Sequence, residues 1–253
     1  MINKIIYIFT IFFLSYCNLL CQTSIKKNNY IGIGSGYSFY YIKDEQVSPM
    51  TYTGRCSPFK LIYNYEGNNY YHRIVLYLGK VHLVPPVKPS SYNHYSTDLR
   101  INLKYEYFFP IKILSNGKYR LYSGGTIENL SSIRKHFYIN NKYHTYENYI
   151  FSIGPEFMIE YHPNKKNISR FQFSIPALTF MIHPPYSIKG KQTKKIAFLN
   201  NFMKIDFKIG YRYCFLRKFM MGFSYRLIYL KYSKLQKMDS GIDNLFVELL
   251  YKL

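Results

Sequence analysis

From Met203 to Phe215 the chain alternates without a break. Met203, Ile205, Phe207, Ile209, Tyr211, Tyr213 and Phe215 fall on one side, and Lys204, Asp206, Lys208, Gly210, Arg212 and Cys214 on the other. A β-strand sends successive side chains to opposite faces, so this stretch carries one apolar and one charged face. Asp98 to Phe109 repeats the arrangement, with Leu99, Ile101, Leu103, Tyr105, Tyr107 and Phe109 against Asp98, Arg100, Asn102, Lys104 and Glu106. A soluble sandwich also alternates, but it has no reason to set aromatics at both ends of each apolar stripe. Here Tyr and Phe gather at strand ends, as side chains do at a membrane–water interface. The alternation repeats over about ten residues, the length that carries a tilted strand across hydrocarbon.

Composition closes the competing route. Tyr and Phe make up 20% of the chain, yet mean hydropathy is −0.20 and no long apolar block is present. Helical membrane bundles are thereby excluded, and 253 residues demand no more than one domain. Candidate strands fall near residues 30–42, 57–66, 70–82, 96–109, 118–133, 145–161, 168–182, 200–215, 219–233 and 242–253. The expected fold is all-β, a closed antiparallel up-and-down transmembrane barrel of about ten strands, with eight or twelve as alternatives. An even count places both termini on the periplasmic side.

The connections support that orientation. EGNN at 66–69, SNGK at 115–118, HPNKKN at 162–167 and LRK at 216–218 are short and rich in turn formers. The connections between them, at 43–56, 83–95, 134–144, 183–199 and 234–241, are mostly longer. Short periplasmic turns and long outer loops are the rule in such barrels. PIKILSNGK is the longest of the short set, and the connection around Asn140 and Asn141 has the character of a projecting hairpin.

Residues 1–21, MINKIIYIFTIFFLSYCNLLC, have a basic start at Lys4 and a short apolar run from Ile5 to Leu14. That is the plan of an export signal, with cleavage expected after Cys21 and the barrel domain occupying 22–253. Lipidation at Cys21 or Cys17 is the lesser alternative, because Leu20 and Tyr16 precede them. Cleavage leaves Cys56 and Cys214, which the topology puts at opposite ends, too far apart for a bridge.

Two stretches carry a family resemblance. The final strand LFVELLYKL, 245–253, sets Leu245, Val247, Leu249, Tyr251 and Leu253 on one face and resembles the C-terminal assembly signal of outer-membrane β-barrel proteins. YEYFFPIKILSNGKYRLYSGG, 105–125, resembles small outer-membrane barrels of the Bacteroidota. The resemblance implies an integral protein of a Gram-negative outer membrane, inserted by the assembly machinery.

The formal charge of +21 invites a nucleic-acid reading, so its placement matters. Strand register sends Lys60, Arg73, Arg100, Lys104, Arg120, Arg170, Lys204, Lys208, Arg212, Arg226 and Lys252 inward. Glu66, Asp98, Glu106, Glu128, Glu156, Glu160, Asp206 and Glu248 join them. The interior is then nearly balanced, and a narrow barrel is expected to fill with these groups as mutual partners. The alternative is a narrow anion-preferring pore lined by Lys204, Lys208 and Arg212. Most of the remaining positive charge lies in loops and turns, without a nucleic-acid-binding motif. KGKQTKK at 189–195 is its densest run, and Lys189, Lys191, Lys194 and Lys195 are candidates for pairing with outer-leaflet glycolipid phosphates.

No motif dictates chemistry. The histidines lack metal-ligand spacing, and Gly32, Gly34 and Gly36 do not match a phosphate-binding loop; on a lumen face they relieve crowding. His94 and Ser96, two apart on one strand, resemble the His and Ser arrangement of outer-membrane lipid A deacylases. No carboxylate lies nearby on the outward face to orient the His. The expectation is a non-enzymatic structural or surface-binding barrel without cofactor or metal. Outer loops 83–95 and 183–199 would contact glycolipid or a partner protein. A lipid hydrolase and a narrow channel stand as alternatives.

Overall fold

The computed structural model describes residues 28–44, 48–67, 70–85, 95–114, 117–137, 143–183, 193–199, 201–233 and 237–253. Among these residues thirteen strand segments, all antiparallel to their neighbours, build one closed wall. They are β1 (Asn28–Asp44), β2 (Ser48–Cys56), β3 (Phe59–Glu66), β4 (Tyr71–Val84), β5 (Tyr95–Leu114), β6 (Tyr119–Phe137) and β7 (Tyr143–Asn164). The remainder are β8 (Asn167–Ser174), β9 (Leu178–His183), β10 (Thr193–Phe198), β11 (Phe202–Cys214), β12 (Phe219–Tyr232) and β13 (Met238–Lys252).

Three crossings are interrupted, so thirteen segments make ten passes. Segments β2 and β3 both lie between β1 and β4, broken at Ser57 and Pro58. Pro176 separates β8 from β9, and β10 ends at Phe198, whose carbonyl accepts from the Asn201 N–H at 2.9 Å just before β11 begins. Proline has no N–H to give the ladder, which explains the first two breaks. The Pro176 kink presses against β7 where Gly154 sits; a Cβ there would lie 2.4 Å from the Ile175 carbonyl oxygen.

Closure comes from β1, which pairs along its length with β13 on one side and with β2 and β3 on the other. Leu253 N–H donates to the Asn29 carbonyl at 3.0 Å, so the first and last strands finish together at the short-turn end. The inward glycines have their expected role at this seam. A Cβ on Gly36 would lie 1.9 Å from the Leu245 carbonyl oxygen, so only a residue without a side chain allows β1 and β13 to approach so closely here.

The wall is longer than the sequence pattern predicts, chiefly at the outer end. Much of 43–56, expected as loop, is β2 laddered to β1, and residues 238–241 begin β13. PIKILSNGK is mostly strand: β5 continues to Leu114, with a register shift between Pro110 and Lys112. HPNKKN contracts to a two-residue turn at Lys165 and Lys166.

Candidate functional site: a filled lumen and a basic outer collar

Across the membrane zone the burial pattern alternates as the sequence requires. Outward positions are apolar and exposed, including Ile33, Leu103, Ile127, Phe157, Phe223 and Val247. Near the short-turn end an aromatic girdle forms in which rings touch across strands. Tyr70 stacks on Tyr65, His72 lies edge-on to Tyr70, and Tyr119 stacks on Tyr161. Such rings belong at the level of lipid headgroups.

Inward, the charges meet across the lumen. Lys104 Nζ on β5 lies 3.0 Å from Glu106, 2.9 Å from Glu156 on β7 and 2.9 Å from Asp206 on β11. Arg226 on β12 holds Asp206 at 2.7 Å and Glu128 on β6 at 3.2 Å, and Lys204 pairs with Glu128. Arg73 on β4 pairs with Glu106 and donates to Gln172 on β8 at 2.7 Å. Lys60 pairs with Glu248, which also accepts from Ser224 at 2.6 Å. Towards the outer end Asp98 takes Arg100 at 2.7 Å and Ser132 at 2.6 Å; towards the periplasm Glu160 takes Arg170 at 2.8 Å. The expected lumen residues Lys204, Asp206, Lys208, Arg212, Arg226 and Glu248 are all buried, 2–7% exposed. Arg134, assigned to a loop by pattern, joins them at 3%. Paired side chains from opposite walls occupy the centre of the barrel, where an open pore would need water.

The polar interior is not continuous, a feature the sequence reading missed. At the outer end a cluster of fifteen buried residues, with Tyr40, Tyr52, Leu83, Met181, Phe202 and Leu230 among them, lines the inside. Outside this cluster the wall turns polar on β1, β2, β4, β5, β6 and β12, where Lys43, Thr51, Thr53, Arg55, His82, Thr97, Lys135 and Lys231 point outward; on β9 and β10 it stays apolar at Phe180, Ile196 and Phe198. On those six strands the membrane pattern is inverted, with apolar inside and polar outside. The reason is the medium. Lipid outside gives an apolar side chain no reason to turn inward, whereas water outside rewards burial of a Leu or Phe by about 1.5–3 kcal/mol. The inversion marks a collar that stands in water above the bilayer. Its signal in the sequence is a loss of contrast: Leu227–Leu230 is apolar on both faces, as a wall segment at the boundary must be.

At the base of the collar Arg55, His82 and Lys135 share one outward register row. Arg55 on β2 is in register with His82 on β4, His82 with Thr97 on β5, and Thr97 with Lys135 on β6. Lys80 lies two residues before His82 on the same exposed face. On the other side Lys43 and Lys231 flank Asp239, which accepts from the Tyr41 hydroxyl at 3.1 Å.

The loop residues expected to bind glycolipid are placed differently. Lys189 and Lys191 lie outside the described residues. Lys194 and Lys195 are consecutive in β10 and so face opposite ways: Lys194 is exposed outward, while Lys195 lies over the Tyr232 ring at 5.7 Å. Reading 183–199 as one loop hid this strand. His94 likewise lies outside the described residues. Ser96 is 1% exposed on the inward face, its hydroxyl donating to the Lys135 carbonyl at 3.1 Å, turned away from lipid. Cys56 joins the outer apolar cluster and Cys214 a periplasmic one, both as free thiols.

Closed wall, apolar belt, aromatic girdle and polar lumen together define an integral outer-membrane β-barrel protein. Among solved structures the chain is similar to the outer membrane protease OmpT from Escherichia coli, with a TM-score of 0.58 at 10% identity over 91% of this chain and 99% of that one. Two weaker likenesses are the transport unit of the autotransporter AIDA-I from Escherichia coli (TM-score 0.43, 8% identity, covering 92% and 93%) and the translocator domain of the autotransporter NalP from Neisseria meningitidis (0.42, 10%, 95% and 93%). At these identities the likeness is one of fold alone. No family model and no curated protein matches the sequence.

Proposed function

We propose that this protein is a non-enzymatic, non-conducting barrel that anchors in the outer leaflet by binding glycolipid phosphates with its basic collar. The observation that carries the reading is the run Arg55, His82 and Lys135 across neighbouring strands, with Lys80 beside it, at the level where the apolar belt ends. Exposed Arg and Lys on a rigid wall suit phosphate oxygens through charge-assisted hydrogen bonds. Export through a signal at 1–21 and insertion by the assembly machinery belong to this reading. An origin among the Bacteroidota rests on segment 105–125 alone, and a protein partner at the outer loops on their length alone. The burial of Ser96 supports the absence of hydrolase chemistry, and the cross-lumen pairing of Lys104 supports a closed interior.

A triple Arg55→Ser, Lys80→Ser, Lys135→Ser variant should assemble with an unchanged thermal midpoint in detergent but retain several-fold less phosphorylated glycolipid on purification from membranes, measured by mass spectrometry. Lys165→Ser with Lys166→Ser, at the periplasmic turn, should retain as much as the unaltered protein. Equal retention by both variants would remove the proposal.

A further inference from the structure

In the middle of the lumen the charges do not balance. Lys60, Arg73, Lys104, Lys204, Lys208 and Arg226 face Glu106, Glu128, Glu156, Asp206 and Glu248, six cations against five carboxylates. Five of the cations touch a carboxylate. Lys208, 7% exposed, has no hydrogen-bond or ion-pair partner among the described residues. The charges around it are Arg73 and Lys60 together with Glu248 and Glu106, and the latter two are already taken by Lys60 and Arg73.

The neutral groups beside Lys208 have the same bias. Gln172 is its register partner on β8; the Gln172 oxygen accepts from Arg73, while its Nε2 is unpartnered. Asn64, the register partner of Arg73, spends its oxygen on the Tyr71 hydroxyl and leaves Nδ2 unpartnered. Arg73 Nη1 is unpartnered as well, as is Nη1 of Arg212, four residues from Lys208 on the same face of β11. The unpartnered groups nearest Lys208 in register are therefore donors, on β3, β4, β8 and β11, while the orphaned lumen acceptors, Glu156 Oε2 and Asn102 Oδ1, lie on β7 and β5. An isolated buried ammonium is costly, and a small anion held among these donors would offset its charge and give them an acceptor.

We propose that the lumen holds one halide-sized inorganic anion between Lys208, Arg73 Nη1 and the Gln172 amide, as a built-in part of the interior network. The site would be enclosed, so the anion enters during assembly and acts on stability. Binding to the folded state alone makes the thermal midpoint rise with anion concentration.

The test uses barrel protein purified in detergent and refolded in chloride or in gluconate, at fixed pH and ionic strength. The gluconate midpoint should be lower by about 2–4 °C, the shift for a modest site in a chain of this size, and Lys208→Met should abolish the difference between the two salts. Crystals of the unaltered protein refolded in bromide should show an anomalous peak between Lys208 and Arg73, a readout that stands even where the variant fails to refold. An identical midpoint in both salts with no bromide peak would overturn the proposal, leaving a deprotonated Lys208 or donors satisfied by water. A salt response that persists in Lys208→Met would overturn it too, by placing the anion elsewhere.

Discussion

Replacing Lys104 by Met should destabilise the folded barrel by about 3–5 kcal/mol, the cost of removing one partner from a buried ionic network. Lys104 is the hub: Glu106 keeps Arg73 and Asp206 keeps Arg226, but among the described residues Glu156 has no other cation partner and its second oxygen is already unpartnered. The loss therefore concentrates on Glu156. A double variant, Lys104→Met with Glu156→Gln, should recover a substantial part of the stability, because the uncompensated carboxylate is gone. Urea unfolding from lipid vesicles measures both. If the single variant unfolds with the unaltered protein, the lumen network is ornamental and the filled interior is wrong.

The second large effect lies on the opposite face of the same strand. Leu103 is 47% exposed and sits in the middle of the β5 apolar stripe. Arginine there should cost about 2–4 kcal/mol, as at a bilayer midplane, whereas Thr97→Arg at the foot of the collar should cost about 0–1 kcal/mol. The gradient between the two positions locates the bilayer on the wall. Equal costs at both would mean that no hydrocarbon surrounds Leu103.

What could be read in advance follows from contrast between faces. Strands such as β5 and β11 were legible because lipid and lumen impose opposite chemistries on alternate residues. Segment β2 was not: Ser48–Cys56 alternates with the sign reversed, Tyr52 inward and Thr51, Thr53 and Arg55 outward, because water surrounds it. Segment β10 was hidden for a related reason, since Lys194 and Lys195 read as one basic cluster until pairing with β9 assigned them to opposite faces. The lumen residues were recoverable from parity alone, but their partners were not. The meeting of Lys104 with Asp206, 102 residues apart, depends on which strands face each other after closure. The basic row Arg55, His82 and Lys135 is equally invisible in sequence, since its members come from three strands and are aligned only by register.

The central claim is a wall with lipid on one face and a filled interior on the other. A nitroxide scan along β5 from Leu99 to Tyr107, in protein with Cys56 and Cys214 replaced by Ser and reconstituted in lipid vesicles, tests both parts at once. Collisional broadening by oxygen, which partitions into lipid, should peak at 99, 101, 103, 105 and 107. A water-soluble nickel chelate should reach neither those positions nor 100, 102, 104 and 106. Nickel access at the odd positions would contradict the membrane span, and nickel access at the even positions would contradict the closed lumen.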